Sequence, residues 1–192
     1  MPSLSHQPIG LYVHVPFCAS KCAYCSFVSY AGRETTIPRY VDAVVQEITR
    51  RGTLAGHPTA DTIFLGGGTP SLLDERQVTR ILQALFDAFS IEEGAEITCE
   101  CNPGTLTRSL VEALAKAGVN RLSVGAQSRQ LRLLRLIGRI HCWEDVIASV
   151  AAAKEAGIRN VNLDLMLGLP TQTITDVQET LAAALALSPT HL

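Results

Sequence analysis

Gly10-Leu-Tyr-Val-His-Val-Pro-Phe-Cys18-Ala-Ser-Lys-Cys22-Ala-Tyr-Cys25 joins a short apolar segment to a C-x3-C-x2-C run. Three thiols within eight residues converge only if the chain curls into a loop around something. Four thiols satisfy a tetrahedral zinc or an ordinary four-cysteine iron–sulfur cluster. Three thiols on a [4Fe–4S] cube leave one iron without a protein ligand. That iron is open to a small molecule, as an open zinc position is. Zinc knuckles favour C-x2-C pairs with a second pair downstream, and no later C-x2-C or H-x3-H exists here. The spacing therefore favours a cluster over zinc, and either over thiols that only fill a core.

Working outward, strand and helix signals alternate. Gly10–Val15 reads as a strand. Pro38–Arg51 reads as a helix, with an apolar stripe at Tyr40, Val41, Val44, Val45 and Ile48. Asp61–Leu65 is a strand entering Gly66-Gly-Gly-Thr-Pro70, and Asp74–Phe89 is a helix. Ala95–Cys101 is a strand, Thr107–Ala117 a helix, Asn120–Gly125 a strand and Trp143–Ala156 a helix. Asn160–Leu167 is a strand and Thr175–Leu187 an Ala-rich helix. Five βα units in series predict a parallel sheet. No G-x-G-x-x-G follows a strand, which disfavours a dinucleotide fold.

Side-chain parity adds information. Strands covered on both faces are apolar on both, and a filled barrel lumen is apolar too. Here one parity is polar in most strands: Tyr12 and His14; Glu96, Thr98 and Glu100; Ser123, Gly125 and Gln127; Asn162 and Asp164, with Met166 on the same side. The expectation is a curved (β/α) sheet whose inner face lines a wet cavity. The Cys loop, Gly66–Thr69, Glu100, Gln127 and Asp164 all fall at or near strand carboxyl ends, where parallel α/β architectures build their sites. Glu100 can accept hydrogen bonds from an ammonium or from ribose hydroxyls. Cys99 and Cys101 fall on the apolar parity and read as buried core thiols.

Tyr12-Val-His-Val-Pro-Phe-Cys18, with Cys22 and Tyr24-Cys25, resembles the opening motif of radical S-adenosylmethionine (SAM) enzymes. The resemblance is to the branch of oxygen-independent coproporphyrinogen III oxidases and HemW-type heme chaperones. It implies that Cys18, Cys22 and Cys25 ligate a [4Fe–4S] cluster. It also implies that SAM chelates the open iron and that an electron from the cluster cleaves SAM to a 5′-deoxyadenosyl radical. Gly66-Gly-Gly-Thr-Pro70 resembles the family segment that contacts the methionine part of SAM, implying Gly67, Gly68 and Thr69 as cofactor contacts. Gln127, Arg139 and Asp164 match SAM contacts in Gly-x-Gln-Ser, Gly-Arg-x-His and Asn-x-Asp-Leu. Glu100 and Tyr12 complete the implied set, Tyr12 over the adenosine or the cluster. No residue is assigned a catalytic role.

Three departures accompany the resemblance. The oxidases continue the third motif cysteine as C-x-C, whereas Cys25-Ser-Phe27 stands here, as in the chaperone branch. Arg129-Gln-Leu131 replaces an aromatic and an acid after Gln-Ser. Family members also continue past the position of Leu192. The chain therefore reads as a partial (β/α)6-type radical SAM barrel, truncated after about five βα units. Residues 1–192 form the core, without the sixth strand and the C-terminal domain. Ser188–Leu192 reads as the entry to that strand, and Asn160–Leu167 as an open edge prone to self-association.

Bulk properties narrow the partners. A net charge of −2 offers no basic surplus for phosphates, which argues against nucleic acid. No apolar run reaches the ~18 residues of a membrane span, and Met1–Pro8 lacks a signal-peptide pattern. Six cysteines without an export signal point to reduced thiols and a cytoplasmic location. The expected function is binding of a cluster and SAM in a HemW-like core linked to heme delivery. The alternatives are an oxidase-type radical enzyme of heme biosynthesis and an inactive fragment. Expected partners are SAM, an electron donor and, in a full-length relative, heme or a porphyrin.

Overall fold

A computed structural model describes residues 7–192. The reading of Met1–Pro8 lies almost wholly outside the described residues. The elements run β1 (Ile9–Val15), β2 (Phe17–Cys18), β3 (Tyr30–Ala31), α1 (Ile37–Ala55), β4 (Thr59–Gly67) and α2 (Glu75–Ala88). They continue with β5 (Ser90–Cys101), α3 (Arg108–Lys116), β6 (Arg121–Gln127), α4 (Leu131–Leu136), α5 (Trp143–Glu155), β7 (Asn160–Leu165) and α6 (Ile174–Ala186). The main sheet has the order β1-β4-β5-β6-β7 and every pairing in it is parallel. Consecutive long strands are neighbours throughout, the simple winding that repeated βα units dictate.

Helix boundaries follow local chemistry. Asp74 caps α2 with a reciprocal box to Gln77, and Thr173 caps α6 in the same way with Asp176. Helix α1 runs one turn past the predicted Arg51, to Gly56 in the left-handed conformation. The parity reading holds. Val13, Val15, Ile63, Leu65, Ile97, Cys99, Leu122, Val124, Val161 and Leu163 are buried in one core with α1, α2, α3 and α5. Cys99 and Cys101 are buried free thiols, as expected.

Four features differ from the sequence reading. Strand β5 begins at Ser90, because Ser90 and Ile91 pair with Thr59 and Ala60 before an irregularity around Gly94. Strand β7 ends at Leu165 rather than Leu167. The Met166 N–H turns to the Gln127 carbonyl at 2.9 Å, Gly168 takes a positive φ of 75°, and Leu167 is exposed. Met166 packs against Leu133, Ile137 and Leu169, a small separate core. Helix α4 and the β2–β3 ribbon were not predicted.

The outer edge of β7 is partly covered. Thr190 N–H reaches the Val161 carbonyl at 2.9 Å, and the Leu163 N–H reaches the His191 carbonyl at 3.2 Å. This forms a parallel bridge between Asn162 and His191. Among the described residues, no helix is long and apolar enough to cross a membrane.

Candidate functional site

The cysteine loop is closed by ordinary backbone chemistry. Phe17 and Cys18 pair with Tyr30 and Ala31, and Tyr30 N–H donates to the Pro16 carbonyl at 2.8 Å. Lys21 Nζ spans the loop to the carbonyls of Phe27 at 3.0 Å and Ser29 at 3.2 Å. His14 Nε2 donates to the Val28 carbonyl at 2.8 Å. That leaves Nδ1 to accept the Tyr12 hydroxyl at 3.0 Å. Ala23 N–H donates to the Ile137 carbonyl at 3.1 Å, docking the loop on the end of α4.

Cys18, Cys22 and Cys25 line one cavity of about 330 Å³. The same cavity is lined by Gly67, Gly68, Thr69, Glu100, Gln127, Arg139 and Asp164. Tyr12 alone among the sequence candidates is not part of its wall. Its ring stacks on Phe64 at 6.0 Å between centroids, beside the cavity. Among the described residues, no three His, Cys, Asp or Glu side chains stand close enough together to hold a metal ion. The three thiols share a wall without converging. Their chemistry still suits a thiolate-bound cluster: they are free, they sit on one loop, and they face one cavity.

Glu100, at the end of β5, accepts the Gly67 N–H at 3.0 Å. Burial raises its pKa, and nearby Asp164 adds to the rise; the Gly67 N–H and His14 pull the other way. Asp164 accepts from Ser123 Oγ at 3.1 Å and from Asn162 Nδ2 at 2.7 Å. Asn162 also donates to Ser123 Oγ at 2.9 Å. Ser123 was legible only as a residue of polar parity, yet it fixes the carboxylate. The two carboxylates, on β5 and β7, give the cavity an acidic wall suited to a cation or to hydroxyl donors.

The missing Cβ atoms of Gly67 and Gly68 serve the protein itself. A Cβ on Gly67 would lie 2.6 Å from His14 Nδ1. One on Gly68 would lie 2.6 Å from the Phe17 carbonyl oxygen and 2.8 Å from that of Val15. The Gly68 N–H donates to Val15 O at 2.7 Å. The glycines let β4 press against the segment that leads into Cys18, and the next residue, Thr69, reaches Cys18 Sγ at 3.5 Å.

Arg139 and His141 reach back to β6 from the segment after α4. Strand β6 breaks register with β7 between Val124 and Gln127. At this irregularity Arg139 Nη2 donates to the Gly125 carbonyl and His141 Nε2 to the Ala126 carbonyl at 3.2 Å. Gln127 follows with a positive φ of 61°, a left-handed conformation that costs a non-glycine residue roughly 1–2 kcal/mol. Arg139 Nη1 lies 3.9 Å from Cys22 Sγ, and Arg139 Nε is buried without a partner. Burial, helped by Arg139, lowers the pKa of His141 to about 4. Burial raises that of Tyr24, in the cysteine loop, to about 12.

A five-stranded parallel sheet, helix-covered on one face, with a three-cysteine loop and a polar cavity at its carboxyl end, defines a partial α/β barrel of the cysteine-loop type. The chain belongs to the radical SAM superfamily, whose pattern matches residues 12–184. It is 38% identical to the heme chaperone HemW of Bacillus subtilis over 181 residues, 94% of this chain and 48% of that protein. It is also 38% identical to the HemW of Escherichia coli over 186 residues, 96% of this chain and 49% of that protein. Among solved structures, the coproporphyrinogen III oxidase HemN of Escherichia coli, a radical SAM enzyme, matches with a TM-score of 0.89. Identity there is 34%, over 95% of this chain and 42% of the other. The methyltransferase TsrM of Kitasatospora setae, at 18% identity and a TM-score of 0.66, shares the fold. The chain spans about half the length of the curated HemW relatives it matches.

Proposed function

We propose that this chain is the SAM-binding core of a HemW-type protein that binds a [4Fe–4S] cluster and SAM and takes part in handling heme. The observation that carries the reading is the shared cavity. Three free thiols and seven residues matching family SAM contacts line it together. When bound, the cluster supplies an electron to SAM. The chain's own residues do the rest. Cys18, Cys22 and Cys25 would hold three irons of the cluster. Glu100 and Asp164 would offer acceptors to the positively charged part of SAM, and the Gly67–Thr69 backbone would border its methionine part. Gln127 and Arg139 would bind its remaining polar groups. Burial raises the Glu100 pKa, and a cation beside the carboxylate would favour its charged form.

The heme side of the reading rests on likeness to chaperones along this half of their length. The absence of C-x-C after Cys25 supports it over the oxidase-type alternative. That alternative is favoured by the match to HemN. The test is anaerobic reconstitution followed by SAM titration, read by electron paramagnetic resonance of the reduced cluster. The expected result is a SAM-dependent change of signal that Asp164→Asn weakens. A cluster signal indifferent to SAM would sink the cofactor assignment.

A further inference from the structure

We propose that Thr69 is a tuning residue for the cluster: its hydroxyl donates a hydrogen bond to the Cys18 sulfur and raises the cluster's reduction potential. The inference rests on the cluster reading above and goes beyond it, because the resemblance places Thr69 against SAM. The geometry points elsewhere. Thr69 Oγ1 lies 3.5 Å from Cys18 Sγ. Both residues are nearly sealed from solvent, at 7% and 9% exposure. In such surroundings a hydroxyl beside a sulfur has little water to compete for it.

The contact is built by the backbone on both sides. Val15 ends β1 and Cys18 ends β2, and Gly68 packs directly on the segment between them through its N–H to Val15 O at 2.7 Å. A side chain on Gly68 would strike the Phe17 carbonyl. The close approach therefore needs glycine at 68 and sets residue 69 over Cys18. Thr69 is extended, with φ −145° and ψ 90°, and its own side chain makes no cap for the short turn that follows. Its hydroxyl is thus not needed by the local fold. Arg139 Nη1, 3.9 Å from Cys22 Sγ, is a second donor of the same kind, and a charged one.

A hydrogen bond to a ligating sulfur draws electron density from the iron and favours the reduced cluster, which carries more negative charge; such bonds are among the levers that set cluster potentials. Removing the hydroxyl must shift the midpoint to a more negative value. No bond is made or broken, and the electron comes from the titrant.

The test uses the 192-residue chain reconstituted anaerobically, beside Thr69→Val and Thr69→Ser. Iron content is measured first, and midpoint potentials are then taken without SAM by titration with electron paramagnetic resonance detection. The expected result is equal iron in all three, a more negative midpoint in T69V and a wild-type midpoint in T69S. Equal midpoints in wild type and T69V at equal iron would overturn the proposal and leave the cluster reading intact. Should T69V take up no iron, Thr69→Ala decides in its place: a shifted midpoint supports the proposal and an unshifted one overturns it. A wild-type chain that takes up no iron would overturn the cluster reading, and this inference with it.

Discussion

The two faces of the main sheet are made of the same strands and behave as different materials. On the helix-covered face, residues such as Ile63, Leu122 and Leu163 are fully buried hydrocarbon. On the other, Glu100, Ser123, Asn162 and Asp164 are polar and bonded to one another or to the backbone. Period-2 alternation keeps the two sets apart on each strand. The apolar face supplies stability through buried area. The polar face spends some of it to hold charged and hydrogen-bonding groups ready in a cavity, including a carboxylate whose pKa is raised by burial. Substitutions on the first face should change stability much more than ligand binding, and substitutions on the second should do the reverse.

The largest stability effect is expected from Leu163→Ala, which empties a fully buried site and should cost about 2–5 kcal/mol in denaturant unfolding. Gly68→Ala should come next. Its new Cβ meets two backbone oxygens that cannot swing away, so a loss of about 1–3 kcal/mol is expected. A loss near zero would mean that β4 is not pressed against β1 as described. His141 gives a pH test. It is buried and neutral in the folded chain with a pKa of about 4, below the ordinary ~6.5 of an unfolded imidazole. The unfolded chain therefore takes up the proton first as pH falls. Stability should drop between about pH 6.5 and pH 4, and His141→Gln should flatten that part of the curve. The smallest effect is expected from Ser123→Ala, about 1–2 kcal/mol for the loss of two partly buried hydrogen bonds, to Asp164 and from Asn162. Because Ser123 orients Asp164, SAM affinity should fall by more than that stability change would account for. Equal or larger damage to stability would break the comparison of the two faces.

The fold was legible because alternation and helix stops are local. Val161, Asn162, Leu163 and Asp164 declare their faces in order, and Gly118 and Gly157 end helices where a positive φ is needed. The placement of the candidate residues at strand carboxyl ends was legible for the same reason. What was hidden depends on distant contacts. Helix α4 is a six-residue segment with two buried leucines and two arginines. It holds its shape against Met166 and Leu169, which no local pattern reveals. The positive φ of Gln127 carries no glycine signal, because the strain is offset by Arg139 and His141 on the Gly125 and Ala126 carbonyls. Gly67 and Gly68 were visible as glycines, but only the packed chain shows that His14 and Phe17 occupy the space they leave. The place of Tyr12, beside the cavity wall rather than in it, is likewise a matter of its stack with Phe64.

The account turns on what the cysteine loop holds, and elemental analysis measures that most directly. After anaerobic reconstitution, the chain is expected to carry about four irons and four sulfides, as a cubane requires, with a brown chromophore that vanishes when Cys18, Cys22 and Cys25 are all changed to Ala. One tightly held zinc per chain with no sulfide, from cells supplied with ample iron, would contradict it.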